Sequence, residues 1–160
     1  MRLVSRQRLI PHLNTVVITT AVVVTFVDAI SKLVARHFLT QHAVQIVGPI
    51  RFRLQYNSGI SFSLNQSGPL VTTVVTLLIA VIVLVLGVRA QPGTPAAGFG
   101  LLLGGGLANL VDRLAAAPHD VTDFIALGPF PIFNLADVAI TAGFIVLLVS
   151  VLKGERLLKR

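Results

Sequence analysis

Asp123 and Asp137 close off VTDFIALGPFPIFNLAD, a stretch lying between two strongly apolar runs in a chain that carries six acidic residues. A carboxylate at mid-bilayer costs on the order of 2.5–3.5 kcal/mol on insertion scales, and a good apolar residue returns only about 0.3–0.6. Two such residues therefore need a use. When two carboxyl groups share a site, repulsion and desolvation raise one pKa, so that near neutral pH one is protonated and the other ionised. Such a pair holds an acid and a base together. The ionised member takes a proton from water, the water attacks a peptide carbonyl, and the neutral member hydrogen-bonds the carbonyl oxygen before helping to protonate the leaving amine.

Other chemistries lack their parts. Cysteine is absent, which removes disulfides, thiol nucleophiles and thiolate metal sites. His12, His37, His42 and His119 are scattered and no HExxH occurs, so no metal centre and no cofactor are expected. No Gly-x-Ser-x-Gly or Ser/Lys arrangement supports a serine hydrolase.

The elements that position the acids follow from composition. At 54% hydrophobic, 12% charged and a mean hydropathy of +0.87, the chain is too apolar for a soluble globule. The fold class expected is an all-α integral membrane protein, a single domain over 1–160, with four transmembrane helices and a small extracytoplasmic strand segment. The spans read as Leu13–Phe38, residues 69–88, Pro95–Leu114 and Ile132–Leu152. Arginines ahead of the first span also suit a signal peptide, but no small-x-small cleavage site follows, so a retained helix is expected. The formal charge of +7 gathers at Arg2, Arg6 and Arg8, at Arg89, and at Lys153, Arg156, Lys159 and Arg160. These flank apolar runs and place both termini in the cytoplasm, anchored to anionic headgroups. No aromatic-interleaved basic stripe points to nucleic acid. IRFRLQY, residues 50–56, alternates with the period of a strand and must lie at the interface, because sheet edges are not tolerated in hydrocarbon. No internal repeat or low-complexity tract is visible.

Helical spacing then groups the polar side chains. Asp28 and Lys32, four apart, project from one side of the first helix and can neutralise one another. Asn109, Asp112 and Arg113 form a polar face on the third, where Asp112 and Arg113 can pair. GGG at 104–106 and Ala108 let helix backbones approach closely; no Gly-Lys-Ser/Thr follows to make a phosphate loop. On the fourth, Asn134 and Asp137 share a face. Gly128, Pro129 and Pro131 turn the chain, so Asp123 and Asp137 can approach from opposite ends of one turn.

Five ordered boxes carry a family resemblance: VDAISK (27–32), NSGISF (57–62), GGGLANLVDR (104–113), VTDF (121–124) and FNLAD (133–137). They are similar to D-x-x-T/S-K, N-x-G-x-x-F, GG-x-x-GN-x-x-DR, V-x-DF and FN-x-AD. In these the chain resembles the bacterial lipoprotein signal peptidases, or signal peptidases II, aspartic endopeptidases of the inner membrane with four transmembrane helices. Ala29 and Ala108 depart from the usual Gln and Gly. The resemblance implies that Asp123 and Asp137 are catalytic and that Asn57, Asn109, Arg113 and Asn134 line the substrate site. Asp28, Lys32, Asp112 and Gly59 would have supporting roles, Asp112 being a further candidate partner for Asp137. The implied substrate is a prolipoprotein already carrying diacylglycerol, cut just before the lipidated Cys near the extracytoplasmic face. Membrane lipids and that substrate are the implied partners, for a chain expected to function as a monomer. A small transporter or proton-relay protein is the main alternative, although broken helices and inverted repeats are not seen. A structural membrane subunit, with acids merely paired to Lys32 and Arg113, is the third.

Overall fold

The computed structural model describes residues 14–39, 42–58, 68–115 and 119–159. Arg2, Arg6, Arg8, His12, Leu13, Arg160 and Gly59, with its box as far as Phe62, lie outside the described residues.

Four helices are long and apolar enough to cross a membrane: α1 (Thr15–Phe38), α2 (Gly68–Val88), α3 (Thr94–Ala115) and α4 (Leu135–Leu152). The Val, Thr and Ile residues that fill α1 are modest helix formers in water. In hydrocarbon, where every backbone group must be satisfied within its own segment, a helix is the solution left to them. Their outer faces carry large exposed apolar side chains, among them Val22 and Phe26 on α1, Leu78 and Ile82 on α2, and Phe144 and Leu148 on α4. Soluble monomers rarely present apolar surface on this scale, and acyl chains are its natural solvent.

Helix α3 is the axis. Its spanning window is 61% buried, against 22%, 17% and 22% for α1, α2 and α4, and the other three pack around it. Small residues make that possible. A Cβ added at Gly104 would lie 2.8 Å from the Ala21 carbonyl oxygen of α1, and one at Gly105 would lie 2.5 Å from the Ala136 carbonyl oxygen of α4. Successive glycines thus bring two different helices against one.

Between the helices lie three antiparallel strands, β1 (Val44–Val47), β2 (Ile50–Asn57) and β3 (Val121–Leu127), in the order β1-β2-β3. In β2, half-buried Ile50, Phe52 and Leu54 alternate with exposed Arg51, Arg53 and Gln55, as the sequence period predicts. Val44, Phe52 and Ile125 face one another across the sheet, and Gln55 pairs with Asp123 beyond a bulge. The sheet exceeds the single expected strand segment because 44–47 and 121–127 pair on either side of β2.

At the opposite end of the bundle the start of α1 and residues 157–159 meet the α2–α3 turn. Asn14 Nδ2 donates to the Ala90 carbonyl (3.1 Å), Gln91 N to Leu157 O (2.8 Å) and Lys159 N to Arg89 O (2.7 Å). The C-terminal tail therefore clasps the α2–α3 turn.

One boundary differs from expectation in a way that matters. The fourth helix begins at Leu135, not Ile132, because Phe133 turns back on β3: its N–H donates to Ile125 O (3.0 Å), and its carbonyl accepts from Phe124 N and Ile125 N. Gly128, at φ +54°, makes the reversal possible, its N–H donating to Pro49 O. Asn134 is consequently the N-cap of α4 and not a member of its face.

Candidate active site

The doubling back of 124–133 sets Asn134 beside Asp123. Asn134 is fully buried and forms a capping box with Asp137, its Oδ1 accepting from Asp137 N (2.9 Å) while Asp137 Oδ2 accepts from Asn134 N (3.2 Å). Caps of this kind satisfy helix N–H groups that otherwise have no partner. Here the cap also fixes an amide's direction. Since the Asn134 oxygen is committed to a backbone donor, its Nδ2 faces outward and donates to Asp123 Oδ1 (2.7 Å) and to Asn109 Oδ1 (3.1 Å).

Asn109 is oriented by the same logic. Its Oδ1 accepts from Lys32 Nζ (2.9 Å), a group that can only donate, so its Nδ2 is left to donate to Asp137 Oδ1 (2.9 Å). A continuous path runs from Asp123 through Asn134 and Asn109 to Asp137. Asn57, at the end of β2, donates to the other oxygen of Asp123 (3.0 Å). Asn57, Asn109, Asp123 and Asp137 line one cavity of about 750 Å³, together with Arg113; its remaining wall is mostly apolar and comes from α2, α3, β3, the 130–133 turn and α4.

The acids divide by partner. Lys32 lies 2.6 Å from Asp28 Oδ2 and 3.2 Å from Asp112 Oδ2, and Arg36 lies 2.9 Å from Asp112 Oδ1. The Asp28–Lys32 pairing expected from spacing is present. Asp112 does more than spacing suggested: it bridges to Lys32 and Arg36 on α1, and it also lies within electrostatic range of the adjacent Arg113. Asp28 adds a second task, its Oδ1 accepting from Ala136 N (2.8 Å) at the start of α4. The described hydrogen-bond partners of Asp123 and Asp137, by contrast, are amides.

Burial pushes the Asp123 carboxyl up to about 6; hydrogen bonds from Asn57 and Asn134 and the charge of Lys32 oppose that rise, and the charge of Asp137 adds to it. Arg113 lies within electrostatic range of Asp123, Asp137 and Asp112.

Lys32 and Asp28 are both buried, at 2% and 1% exposure. Removing one partner of a buried pair strands the other charge and costs roughly 3–5 kcal/mol. Lys32→Met is therefore expected to lower the melting temperature in detergent steeply, and Lys32→Met with Asp28→Asn to regain part of the loss. Equal melting temperatures for parent and Lys32→Met would contradict this.

Sequence reasoning brought forward every side chain of the amide path but missed Arg36 and Thr122. Arg36 donates from Nε and Nη2 to Thr122 Oγ1 (2.9 and 2.6 Å), and Thr122 N donates to Asp112 Oδ2 (2.9 Å). The signal was available, since Asp28, Lys32 and Arg36 fall at i, i+4 and i+8. Among the described residues, no group of three His, Cys, Asp or Glu is arranged to hold a metal ion.

Comparison with known proteins places the arrangement. Solved structures of a bacterial membrane enzyme obtained by the in meso method, at 2.3 Å and at 1.9 Å resolution, share the fold with TM-scores of 0.78 and 0.76, each at 24% identity. Each likeness covers 89% of this chain, and 90% and 96% of the respective solved chains. A lipoprotein signal peptidase of Mycolicibacterium smegmatis is 36% identical over 143 residues, which are 86% of this chain and 61% of that protein. One of Mycobacterium leprae is 33% identical over 150 residues, 90% of this chain and 75% of its own length. The family model described as signal peptidase (SPase) II matches residues 20–153, a range that includes every acid and amide of the site, and the chain belongs to that family.

Proposed function

We propose that Asp123 and Asp137 are the catalytic pair of an aspartic endopeptidase that removes the signal peptide from diacylglyceryl-modified prolipoproteins, cutting just before the lipidated Cys. One observation carries this reading: two carboxyl groups are tied into a single amide path at the lip of an apolar cavity, while Lys32 and Arg36 are engaged by the other acids. A purely structural acid would take the nearest cation.

In this reading Asp123 carries the shared proton and hydrogen-bonds the scissile carbonyl oxygen. Ionised Asp137 accepts a proton from a water between the two groups, and that water's oxygen bonds to the carbonyl carbon. Proton return to the peptide nitrogen lets the C–N bond break. Asn134 and Asn109 hold the carboxyl groups in register throughout, and Asn57 and Arg113 face the substrate backbone. The apolar part of the cavity, at membrane depth between α2 and α4, suits a lipid-linked substrate arriving from within the bilayer.

The sheet and the acids would then lie at the extracytoplasmic face of the bacterial inner membrane, with both termini cytoplasmic. Arg89, Lys153, Arg156 and Lys159 support this orientation, since they cluster at the end remote from the acids. We further propose that the monomer suffices, every group of the path belonging to one chain. The relay alternative is not favoured, the family being one of peptidases.

Purified protein should cleave a lipidated precursor peptide and leave its unlipidated twin intact; cleavage of both at equal rates would remove the lipid from the assignment. The pH profile follows from Asp123. Because its folded-state pKa is raised above 3.8 to about 6, it is protonated below that value and loses the proton as pH rises through it. If Asp123 is the acid, log(kcat/KM) should fall with unit slope above about pH 6, since kcat/KM reports the free enzyme. A profile rising across this range would reverse the roles of the two acids.

A further inference from the structure

Arg36 is the third member of the α1 stripe begun by Asp28 and Lys32, at the sheet end of the helix. Its guanidinium reaches across to two elements at once. Nη2 donates to Asp112 Oδ1 on α3 (2.9 Å), and Nε and Nη2 donate to Thr122 Oγ1 on β3 (2.9 and 2.6 Å). Asp112 closes the ring through its second oxygen, which accepts from Thr122 N (2.9 Å). Thr122 is fully buried, and its carbonyl accepts from Asn134 Nδ2 (3.4 Å). One strand residue is therefore held by its hydroxyl, its N–H and its carbonyl, each to a different side chain.

The next residue is Asp123. Asp123 closes a regularly paired run, Asn57 with Val121, Tyr56 with Thr122 and Gln55 with Asp123, and the β2–β3 register shifts immediately beyond it, before Ile125, so on that side the acid lacks a regular ladder. A planar five-donor fork on a hydroxyl and a carboxylate adds a side-chain restraint to Thr122 at this end of the paired run.

We infer that the Arg36–Asp112–Thr122 ring sets the position of Asp123 relative to Asp137, making Arg36 and Thr122 positioning residues for the hydrolytic step. Neither touches the cavity, so neither meets substrate. The inference rests on the peptidase reading, and its effect falls on turnover and not on binding. Displacements of about 1 Å between reacting groups cost on the order of 100-fold.

Steady-state cleavage of a lipidated precursor peptide tests it. Thr122→Val keeps the branched shape and the charges and removes only the hydroxyl; kcat should fall about 10-fold with KM within about 2-fold. Thr122→Ser should restore the parental kcat. Arg36→Leu should lower kcat by about 10- to 100-fold, and Arg36→Leu with Thr122→Val should be no slower than Arg36→Leu alone, because both break one ring. Parental kcat in Thr122→Val, failure of Thr122→Ser to rescue, or losses that multiply in the double variant would each overturn the ring's role. Should Arg36→Leu fail to fold, the Val and Ser variants decide alone. Parent enzyme inactive on the peptide would instead defeat the peptidase reading, which separates the two failures.

Discussion

Asp123→Asn and Asp137→Asn are each expected to lower single-turnover cleavage of a lipidated precursor by at least about 1000-fold, toward the upper range for loss of acid–base catalysis. Asn matches Asp in size and loses the ability to exchange a proton; its amide nitrogen also faces a donor that the carboxylate accepted from, so a melting temperature beside each rate separates lost chemistry from lost geometry. Binding of the precursor should persist in both variants, measured as retention on lipidated-peptide resin or by competition. Asp112→Asn provides the contrast. It weakens contacts to Lys32, Arg36 and Thr122 without touching the path between the two acids, so its residual rate should lie well above theirs. Comparable losses in all three would mean that the chemistry is not confined to the proposed pair.

Gly105→Ala carries the second large effect, and it works through packing alone. The added Cβ would stand 2.5 Å from the Ala136 carbonyl oxygen and 2.7 Å from Ile140 Cγ1, and the first of these is backbone that cannot rotate aside. Helix α4 must shift or tilt, and Asp137 is the residue next to Ala136. Overpacking of this kind costs typically 1–3 kcal/mol. A movement of about 1 Å at Asp137 would lower kcat on the order of 100-fold. Gly106→Ala is the control for stability, since a Cβ there meets nothing within 4 Å. Its melting temperature should match the parent's while that of Gly105→Ala falls. A Gly105→Ala enzyme with parental turnover would show that the α3–α4 contact does not set the geometry of the acids.

What the sequence revealed and what it hid have physical causes. Each spanning helix announces itself by apolar length, and β2 by its alternation, because one of its faces is covered and the other is not. β3 gives no such signal: Val121, Thr122, Asp123 and Phe124 are all buried, so the period of two disappears. β1 is exposed throughout and loses the alternation in the opposite way. The start of α4 was hidden because Ile132 and Phe133 extend its apolar run, and only the pairing of Phe133 with Ile125 shows where the helix must stop. The two acids were legible because charges in apolar runs are costly. Their amide path was legible in composition but not in direction: only the backbone donor at Asp137 and the ammonium of Lys32 say which way Asn134 and Asn109 point. Arg36 was passed over because its partners, Asp112 and Thr122, lie on other elements, and only their positions give it a role.

If Asp123 and Asp137 act as one unit, comparing Asp123→Asn, Asp137→Asn and the double variant on the same lipidated precursor shows it most directly. Residues that share one chemical task are strongly non-additive, so the double variant should be no slower than the slower single one. Losses that multiply, giving a double variant far slower than either, would show two independent contributions and contradict a shared proton.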